Sequence, residues 1–296
     1  MLNWRWVGHA ARTPRCTQRN GGFLIAACAA LLGALIGGGQ ARADDGAGVL
    51  RLNLRTRVET FKGSGQWDEV TIQKELPVDR TAILICDMWD DHWCTGAAKR
   101  CGELAEKMAP IIDQARSAGL RIVHSPSDTM GFYKDSPARQ RLLAVELLPP
   151  EKNLDLTDPP LPIDDSDGGC DTPDSFFQAW TRQHPAIRIA DADVVGDRGD
   201  QIYSYLRREG VENIIFVGVH TNMCVLGRSF GIRQMTRWGM NSILVRDLTD
   251  TMYDPADPPH VSHDEGTELV VQHIEKYFCP SIESADLAES LPAREP

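Results

Sequence analysis

Four short, mainly apolar runs, separated by stretches with helical spacing, constrain the fold of this chain more than any other feature. The runs are residues 81–86, 120–123, 213–218 and 241–245. They lack the alternation of polar and apolar side chains that marks a half-buried strand, so each run predicts a strand buried on both faces. Strands that alternate with helices predict a parallel sheet joined by right-handed crossovers.

Apolar residues with helical spacing predict four helices between and after these runs. The predicted helices are residues 103–118, 199–208, 225–238 and 267–278. A glycine follows each of the first three, which is typical of helix ends. A further short strand is predicted at residues 186–189. We therefore expect a doubly wound, Rossmann-like α/β fold of three layers, with a parallel sheet between helices on both faces.

The two ends of the chain are expected to lie outside this domain. Residues 1–43 hold five arginines, no acid, an apolar run and a final Ala-Arg-Ala. This pattern is typical of a secretory signal peptide, with an uncleaved N-terminal anchor as the alternative. Residues 44–80 contain two alternating stretches around a Gly-Ser-Gly turn, which predict a β-hairpin extension. The main domain is then residues 81–280, and residues 281–296 form a C-terminal tail.

Charge and cysteine content limit the partners and the compartment. The net charge is −11, and loss of the five arginines in residues 1–43 would take it to −16. So acidic a chain argues against nucleic-acid or anionic-membrane partners. A signal peptide implies export to the periplasm or the extracellular space, with no stable membrane contact after cleavage. Disulfides form in such compartments; Cys94 with Cys101 is the first candidate pair and Cys170 with Cys279 the second, although spacing does not decide connectivity.

Two reactive residues follow buried strands directly. Asp87 comes after the run at residues 81–86, and Cys224 lies in the turn after residues 213–218. Ligands of open parallel sheets bind beyond the carboxyl ends of the strands. With Thr221 as N-cap, Cys224 would lie in the first helical turn, where free N–H groups lower a thiol pKa. Asp87 would then accept the thiol proton; a buried structural cysteine and a capping aspartate are the alternative.

Both residues lie in longer motifs, ICDMWDD at residues 85–91 and VGVHTNMCV at residues 217–225. These motifs are similar to those of the isochorismatase-like cysteine hydrolases, and the resemblance extends over roughly residues 80–255. It implies a hydrolase of a small-molecule amide, C–N or related bond, with Cys224 as nucleophile and Asp87 as base. It also implies backbone oxyanion donors at His220 and Cys224, a cis peptide bond between Val219 and His220, and a homo-oligomer.

One departure from the family pattern concerns the lysine that completes its triad. No lysine occurs between Lys152 and Lys276. Arg188 and Arg182 are the candidates for the cation, although a guanidinium cannot transfer protons near neutral pH. His92 is the alternative source of the acid–base function. Arg228, on the helix after the nucleophile, is expected on a solvated helix face, with a contact to a substrate carboxylate or a neighbouring subunit as the alternative.

The sequence also predicts a substrate pocket and leaves two alternative functions open. The pocket is expected to consist of four side chains: Trp89, His92, Thr221 and Arg188. No cofactor and no metal are expected, because the metal-ligand spacing known from one branch of the family is missing after residues 120–123.

The missing lysine motivates one alternative, a catalytically silent protein that binds a small ligand or a partner. A thiol-redox protein is the other.

Overall fold

An eight-stranded mixed sheet forms the centre of the part of the chain that the computed structural model describes, residues 48–291. The strands in chain order are β1 (Val49–Glu59), β2 (Trp67–Pro77), β3 (Thr81–Cys86), β4 (Arg121–Ser125), β5 (Val194–Val195), β6 (Asn213–Val219), β7 (Asn241–Asp250) and β8 (Ser281–Ile282). Their spatial order is β2-β1-β8-β7-β6-β3-β4-β5. The strands from β8 to β5 run parallel, whereas β1 is antiparallel to both of its neighbours.

Helices cover both faces of this sheet, as predicted. They are α1 (Thr95–Ser117), α2 (Met130–Tyr133), α3 (Pro137–Leu143), α4 (Gly199–Arg208), α5 (Ile232–Arg237), α6 (His263–Tyr277) and α7 (Ser284–Ser290). Successive residues of β3 point to opposite faces: Leu84 packs with residues of α4 and α6, and Ile85 packs with residues of α1 and α7. The doubly wound, three-layer α/β fold is therefore confirmed.

The N-terminal hairpin is present and becomes part of the sheet. Strands β1 and β2 pair over eleven residues each, and Arg55 of β1 pairs with Ser281 of β8. The hairpin is also joined to α6 by charge, because Arg55 and Arg57 both bind the fully buried carboxylate of Glu275, at 2.6 Å and 3.1 Å. Loss of either arginine would leave a buried charge poorly compensated, which is strongly destabilising. The expected domain boundaries stay predictions, and the signal-peptide segment lies outside the described residues.

Two predicted elements are wrong. Residues 186–189 form no strand, because the Ile187 N–H donates to His184 O at 3.1 Å in a local turn, and β5 takes the place beside β4. The predicted helix at residues 225–238 is interrupted. A π-helical turn covers Thr221–Val225, and α5 begins only at Ile232, because the backbone is extended at the intervening Gly231.

The cysteine pairing also differs from both predicted pairs. Cys94 forms a disulfide with Cys170, with Cα atoms 5.7 Å apart, whereas Cys101 and Cys279 are free and buried. Cys101 lies inside α1, which starts right after Cys94, so the two residues are about 10 Å apart along the helix axis and too far for a disulfide. The observed bond ties the long loop before β5 to the start of α1. Within residues 48–291, no helix is long and apolar enough to cross a membrane.

Candidate active site

Asp87 lies immediately after β3, at the carboxyl end of the central strands. Its backbone adopts a left-handed conformation with φ of 44°, and its side chain is completely buried. Oδ1 accepts a hydrogen bond from the Ser127 N–H at 2.7 Å, and Oδ2 accepts one from Arg228 Nε at 3.0 Å. A non-glycine residue keeps such a conformation only where its surroundings demand it, which is common at functional sites. The carboxylate is therefore held in one position by two elements other than its own.

Cys224 lies beside this carboxylate, in the π-helical turn that follows β6. Strands β3 and β6 are neighbours, so Asp87 and Cys224 extend from adjacent strand ends. The thiol hydrogen-bonds to the Asp87 carboxylate, and the His220 N–H hydrogen-bonds to the sulfur. Cys224 is half-buried, whereas the free thiols Cys86 and Cys101 are buried. The structure thus brings together the two residues predicted as nucleophile and base.

Arg228 supplies the positive charge in this cluster. It follows Cys224 by four residues, and its N–H donates to Cys224 O at 3.0 Å. The guanidinium bridges the buried Asp87 and the exposed Asp128, with Nη2 to Asp128 Oδ2 at 3.4 Å. The prediction of a solvated helix face for this residue is wrong, because its side chain turns toward the strand ends. The spacing of four residues from the nucleophile was the signal in the sequence, since such pairs share a helix face.

The electrostatics of the site differ from the predicted lowered thiol pKa. Burial raises the pKa of the Cys224 thiol, and the negative charge of Asp87 raises it further, while Arg228 opposes both. Burial also raises the pKa of Asp87, against the lowering effects of Arg228 and the Ser127 N–H. The helical turn lowers the thiol pKa less than burial raises it. The thiol at rest is accordingly neutral, rather than a preformed thiolate.

The turn between β6 and Cys224 has the predicted backbone geometry. The peptide bond between Val219 and His220 is cis. Thr221 is fully buried, and its hydroxyl bonds to Thr249 Oγ1 at 2.7 Å, which in turn donates to Gly218 O at 2.8 Å. Thr221 therefore fastens the nucleophile turn to β7. His220 is buried, and its Nε2 has no hydrogen-bond partner within residues 48–291.

Aromatic side chains line the approach to this turn. Trp89 is buried, and its Nε1 donates to Ser127 O at 3.0 Å. The indole of Trp180 stacks on Trp89 at 4.5 Å, and the His92 ring contacts His220 at 4.9 Å. Two of the predicted pocket residues, Trp89 and His92, thus lie beside Asp87 and the nucleophile turn. Trp180 was missed because it lies in a long irregular loop, where no periodicity marks a side chain that faces a site.

Neither predicted replacement for the family lysine contacts Asp87. The Arg188 side chain is 60% exposed and pairs with Asp113 at 3.0 Å. Asp113 is near the end of α1, far from the strand ends, because α1 starts beside the site and runs away from it. Arg182 lies 3.7 Å from Asp90 and over the Phe132 ring. Arg188 is therefore not a pocket residue.

One group of possible metal ligands occurs in the described part of the chain. The sulfurs of Cys94 and Cys170 and a carboxylate oxygen of Asp171 all lie within 4.8 Å of one another. Both sulfurs belong to the disulfide, and metal binding by cysteine requires a thiolate. The absence of a metal site stays a prediction.

Comparison with known proteins finds solved structures that match this chain at low sequence identity. No protein-family model and no curated protein matches the sequence. A cysteine hydrolase from Pseudomonas syringae pv. phaseolicola shares 18% identity, covers 73% of this chain and 94% of its own, and has a TM-score of 0.49. An isochorismatase family protein from Burkholderia thailandensis shares 18% identity, with 72% and 96% covered and a TM-score of 0.42. An isochorismatase-like hydrolase from Alkaliphilus metalliredigens shares 17%, with 73% and 98% covered and a TM-score of 0.44.

These structures carry the names of the family that the two sequence motifs resemble. Their identities and TM-scores are too low to carry an argument about activity. What the chain itself shows is an open α/β sheet with a thiol and a buried carboxylate in contact at the carboxyl ends of adjacent parallel strands. The functional interpretation rests on that site.

Proposed function

We propose that this chain is an exported cysteine hydrolase of the isochorismatase-like type, which cleaves an amide, C–N or related bond of a small molecule. The observation that supports this function is the hydrogen bond between the Cys224 thiol and the buried Asp87 carboxylate. A nucleophile within hydrogen-bond reach of a base that other groups hold in place is the arrangement that covalent catalysis requires. A homo-oligomer is part of the proposal by resemblance alone.

The proposed reaction starts from the neutral thiol. As the sulfur of Cys224 attacks the carbonyl carbon, its proton passes to Asp87, and backbone N–H groups at His220 and Cys224 stabilise the developing oxyanion. The proton on Asp87 then moves to the leaving nitrogen, and the C–N bond breaks to give a thioester on Cys224. Asp87 next accepts a proton from water as the water attacks the thioester, and the acid is released with the thiol restored.

Arg228 has an electrostatic role in this scheme. A guanidinium stays charged near neutral pH and does not transfer protons, so it does not replace the family lysine as an acid. Its charge lowers the pKa of Asp87, against the raising effect of burial. Arg228 thereby favours the ionised form of Asp87, which is the form that accepts the thiol proton.

A catalytically silent protein that binds a small ligand or a partner remains the second candidate. The observation that favours it is the raised pKa of Cys224, which leaves little thiolate at neutral pH. In that case the Cys224–Asp87 contact would be structural, and no thioester would form.

Acylation by p-nitrophenyl acetate distinguishes the two candidates, with a panel of small amides tested in parallel for ammonia release. The wild type should form an acetyl adduct on Cys224, located by peptide mass spectrometry, and should turn it over. Cys224→Ala should lose the adduct. Asp87→Asn should lose turnover by about 10²-fold or more, the usual contribution of a general base. Cys101→Ala is the matched control, because it removes a free thiol elsewhere. Equal acylation of the wild type and Cys224→Ala would reject the hydrolase.

A further inference from the structure

Aromatic rings form a continuous array beside the nucleophile turn, and the catalytic scheme does not use them. We call this array the aromatic wall. It consists of Trp89, His92, Trp93, Phe176, Trp180 and His220. Three segments contribute: the loop after β3, the irregular loop before β5, and the turn after β6.

Part of the aromatic wall is a stack of nearly parallel rings. Trp180 lies on Trp89 with centroids 4.5 Å apart and an interplanar angle of 16°. His92 lies nearly parallel to Trp180, at 5.6 Å and 14°. Phe176 stands edge-on to both Trp93 and Trp180, at 66° and 69°. Stacked and edge-to-face pairs at these distances attract one another, and a further planar group can extend such a stack.

The aromatic wall is joined directly to the reactive residues. His92 contacts the His220 ring, and the His220 N–H hydrogen-bonds to the Cys224 sulfur. On the other side, the Trp89 indole and the Asp87 carboxylate both bind the backbone of Ser127. A molecule whose reacting carbon lies at Cys224 would therefore have its remaining atoms against these rings.

Two features of the aromatic wall point to a missing partner. Phe176 is 72% exposed, which is unusual for a phenyl ring that already contacts two indoles. His220 Nε2 and Trp180 Nε1 are buried, and neither has a hydrogen-bond partner within residues 48–291. Buried polar atoms are nearly always paired, so unpaired ones beside a nucleophile suggest groups that a ligand completes.

We infer that the aromatic wall binds the non-reacting part of the substrate, and that this part is a flat, uncharged aromatic ring attached to the scissile acyl group. The inference rests on the proposed function for the identity of the reacting bond. Burial lowers the pKa of His92 to about 4 and that of His220 to about 3, so both rings are neutral near pH 7. The six side chains of the wall then offer faces and edges of neutral rings, and the nearby cation of Arg100 is already paired with Asp171 and Asp250.

Two amides of similar size separate ring stacking from simple apolar burial. Benzamide has a flat aromatic ring, and cyclohexanecarboxamide has a saturated ring in its place. Binding of each to Cys224→Ala is measured by tryptophan fluorescence and by calorimetry, so that turnover plays no part. We expect benzamide to bind about 3- to 10-fold more tightly, as one favourable aromatic contact would give.

Variants of the aromatic wall test whether its rings cause the preference for benzamide. Phe176→Leu and Trp180→Leu in the Cys224→Ala background should bring the ratio of the two dissociation constants close to one. Phe177→Leu is the matched control, because Phe177 is the adjacent exposed phenylalanine, at 59% exposure, and has no ring contact in the described chain. Thermal melting of each variant verifies that the fold is retained.

Three outcomes would overturn the inference: no binding of either amide, equal binding of both, or a preference that persists in both leucine variants. Preferential binding of a quaternary ammonium such as tetramethylammonium would also overturn it, because the wall would then be a cation site. Failure of the hydrolase gives a different result, namely benzamide preference in Cys224→Ala without acylation of the wild type.

Discussion

Arg228 Nε donates to Asp87 Oδ2 at 3.0 Å, and this bond joins a half-exposed guanidinium to a carboxylate that is completely buried. The same carboxylate contacts the Cys224 thiol, so charge, base and nucleophile form one connected unit. The sequence offers no lysine for this place, and the cation comes from Arg228, four residues after the nucleophile. The predictions below follow from that arrangement and from the elements that hold it.

Replacement of Arg228 should shift the pH dependence of the reaction. In Arg228→Gln, burial would raise the pKa of Asp87 without the opposing cation, and the carboxyl would stay protonated to higher pH. The acid limb of the pH profile of kcat/KM should move upward, with a loss of activity of about 10²-fold at neutral pH. Arg228→Lys should recover most of the profile. The control is Arg188→Gln, which removes a surface arginine paired with Asp113 and should change nothing.

Asp87→Asn should stabilise the fold above the acid range while it lowers turnover. The folded-state pKa of Asp87 is raised, so the folded protein holds this proton more tightly than the unfolded chain does. The protonated Asp87 side chain contributes its full stabilisation of the fold at pH values below the unfolded-state pKa of about 3.9. This contribution is lost as the pH rises through the folded-state pKa of Asp87. Asparagine does not titrate, so the difference in Tm between variant and wild type should grow over that window.

Thermal melts from about pH 3 to about pH 8 measure this difference, because this range spans the unfolded carboxyl pKa and neutrality. Asp135→Asn is the control, because its side chain is 87% exposed and should show no pH-dependent gain. A Tm difference that shrinks with rising pH would contradict the assigned direction of the Asp87 pKa.

The disulfide between Cys94 and Cys170 should stabilise the loop that carries Phe176 and Trp180. The two cysteines are 76 residues apart, and a crosslink over such a loop contributes about 2–5 kcal/mol, mainly through the unfolded state. Reduction, or the Cys94→Ala and Cys170→Ala double variant, should lower Tm and open this loop to proteolysis. The double variant should not respond further to reductant. Unchanged protease resistance after verified reduction would show that the loop is held by other contacts.

Gly218 should be irreplaceable for a steric reason. Its φ is +113°, and a Cβ added there would lie 2.0 Å from Cys86 O, between the two strands that carry Asp87 and Cys224. Gly218→Ala should displace both strand ends, lower Tm strongly and abolish acylation of Cys224. Gly210→Ala is the matched control: its φ is also positive, at +75°, but nothing lies within 4 Å of the added Cβ. It should cost only about 1–2 kcal/mol, the penalty of the left-handed conformation.

Much of the fold follows from the sequence because its central strands are buried on both faces, and burial leaves continuous apolar runs. The pairing of Asp87 with Cys224 follows in the same way, since carboxyl ends of neighbouring parallel strands meet. Short elements such as β5 are not predictable, because two residues give no periodicity and only tertiary contacts define the strand.

The rest of the site depends on features that leave no periodic pattern in the sequence. The bond from Val225 N to His220 O spans five residues, so the nucleophile turn is wider than an α-helix. The loop residues Phe176 and Trp180 reach the site through the disulfide and the stack on Trp89. Side chains placed by a long loop are not visible in local patterns.

Alkylation of Cys224 by iodoacetamide from about pH 6 to about pH 10, on either side of the free-thiol pKa, tests the coupling of base and nucleophile most directly. Rates at each cysteine are read by peptide mass spectrometry in the wild type and in Asp87→Asn. We predict that Cys224 reacts faster than the buried thiols, with an apparent pKa above the free-thiol value of about 8.5. This pKa should fall in Asp87→Asn, because a negative charge that raises it is removed. An apparent pKa that is the same in both proteins, or a Cys224 no more reactive than Cys86, Cys101 and Cys279, would contradict the thiol–carboxylate pair.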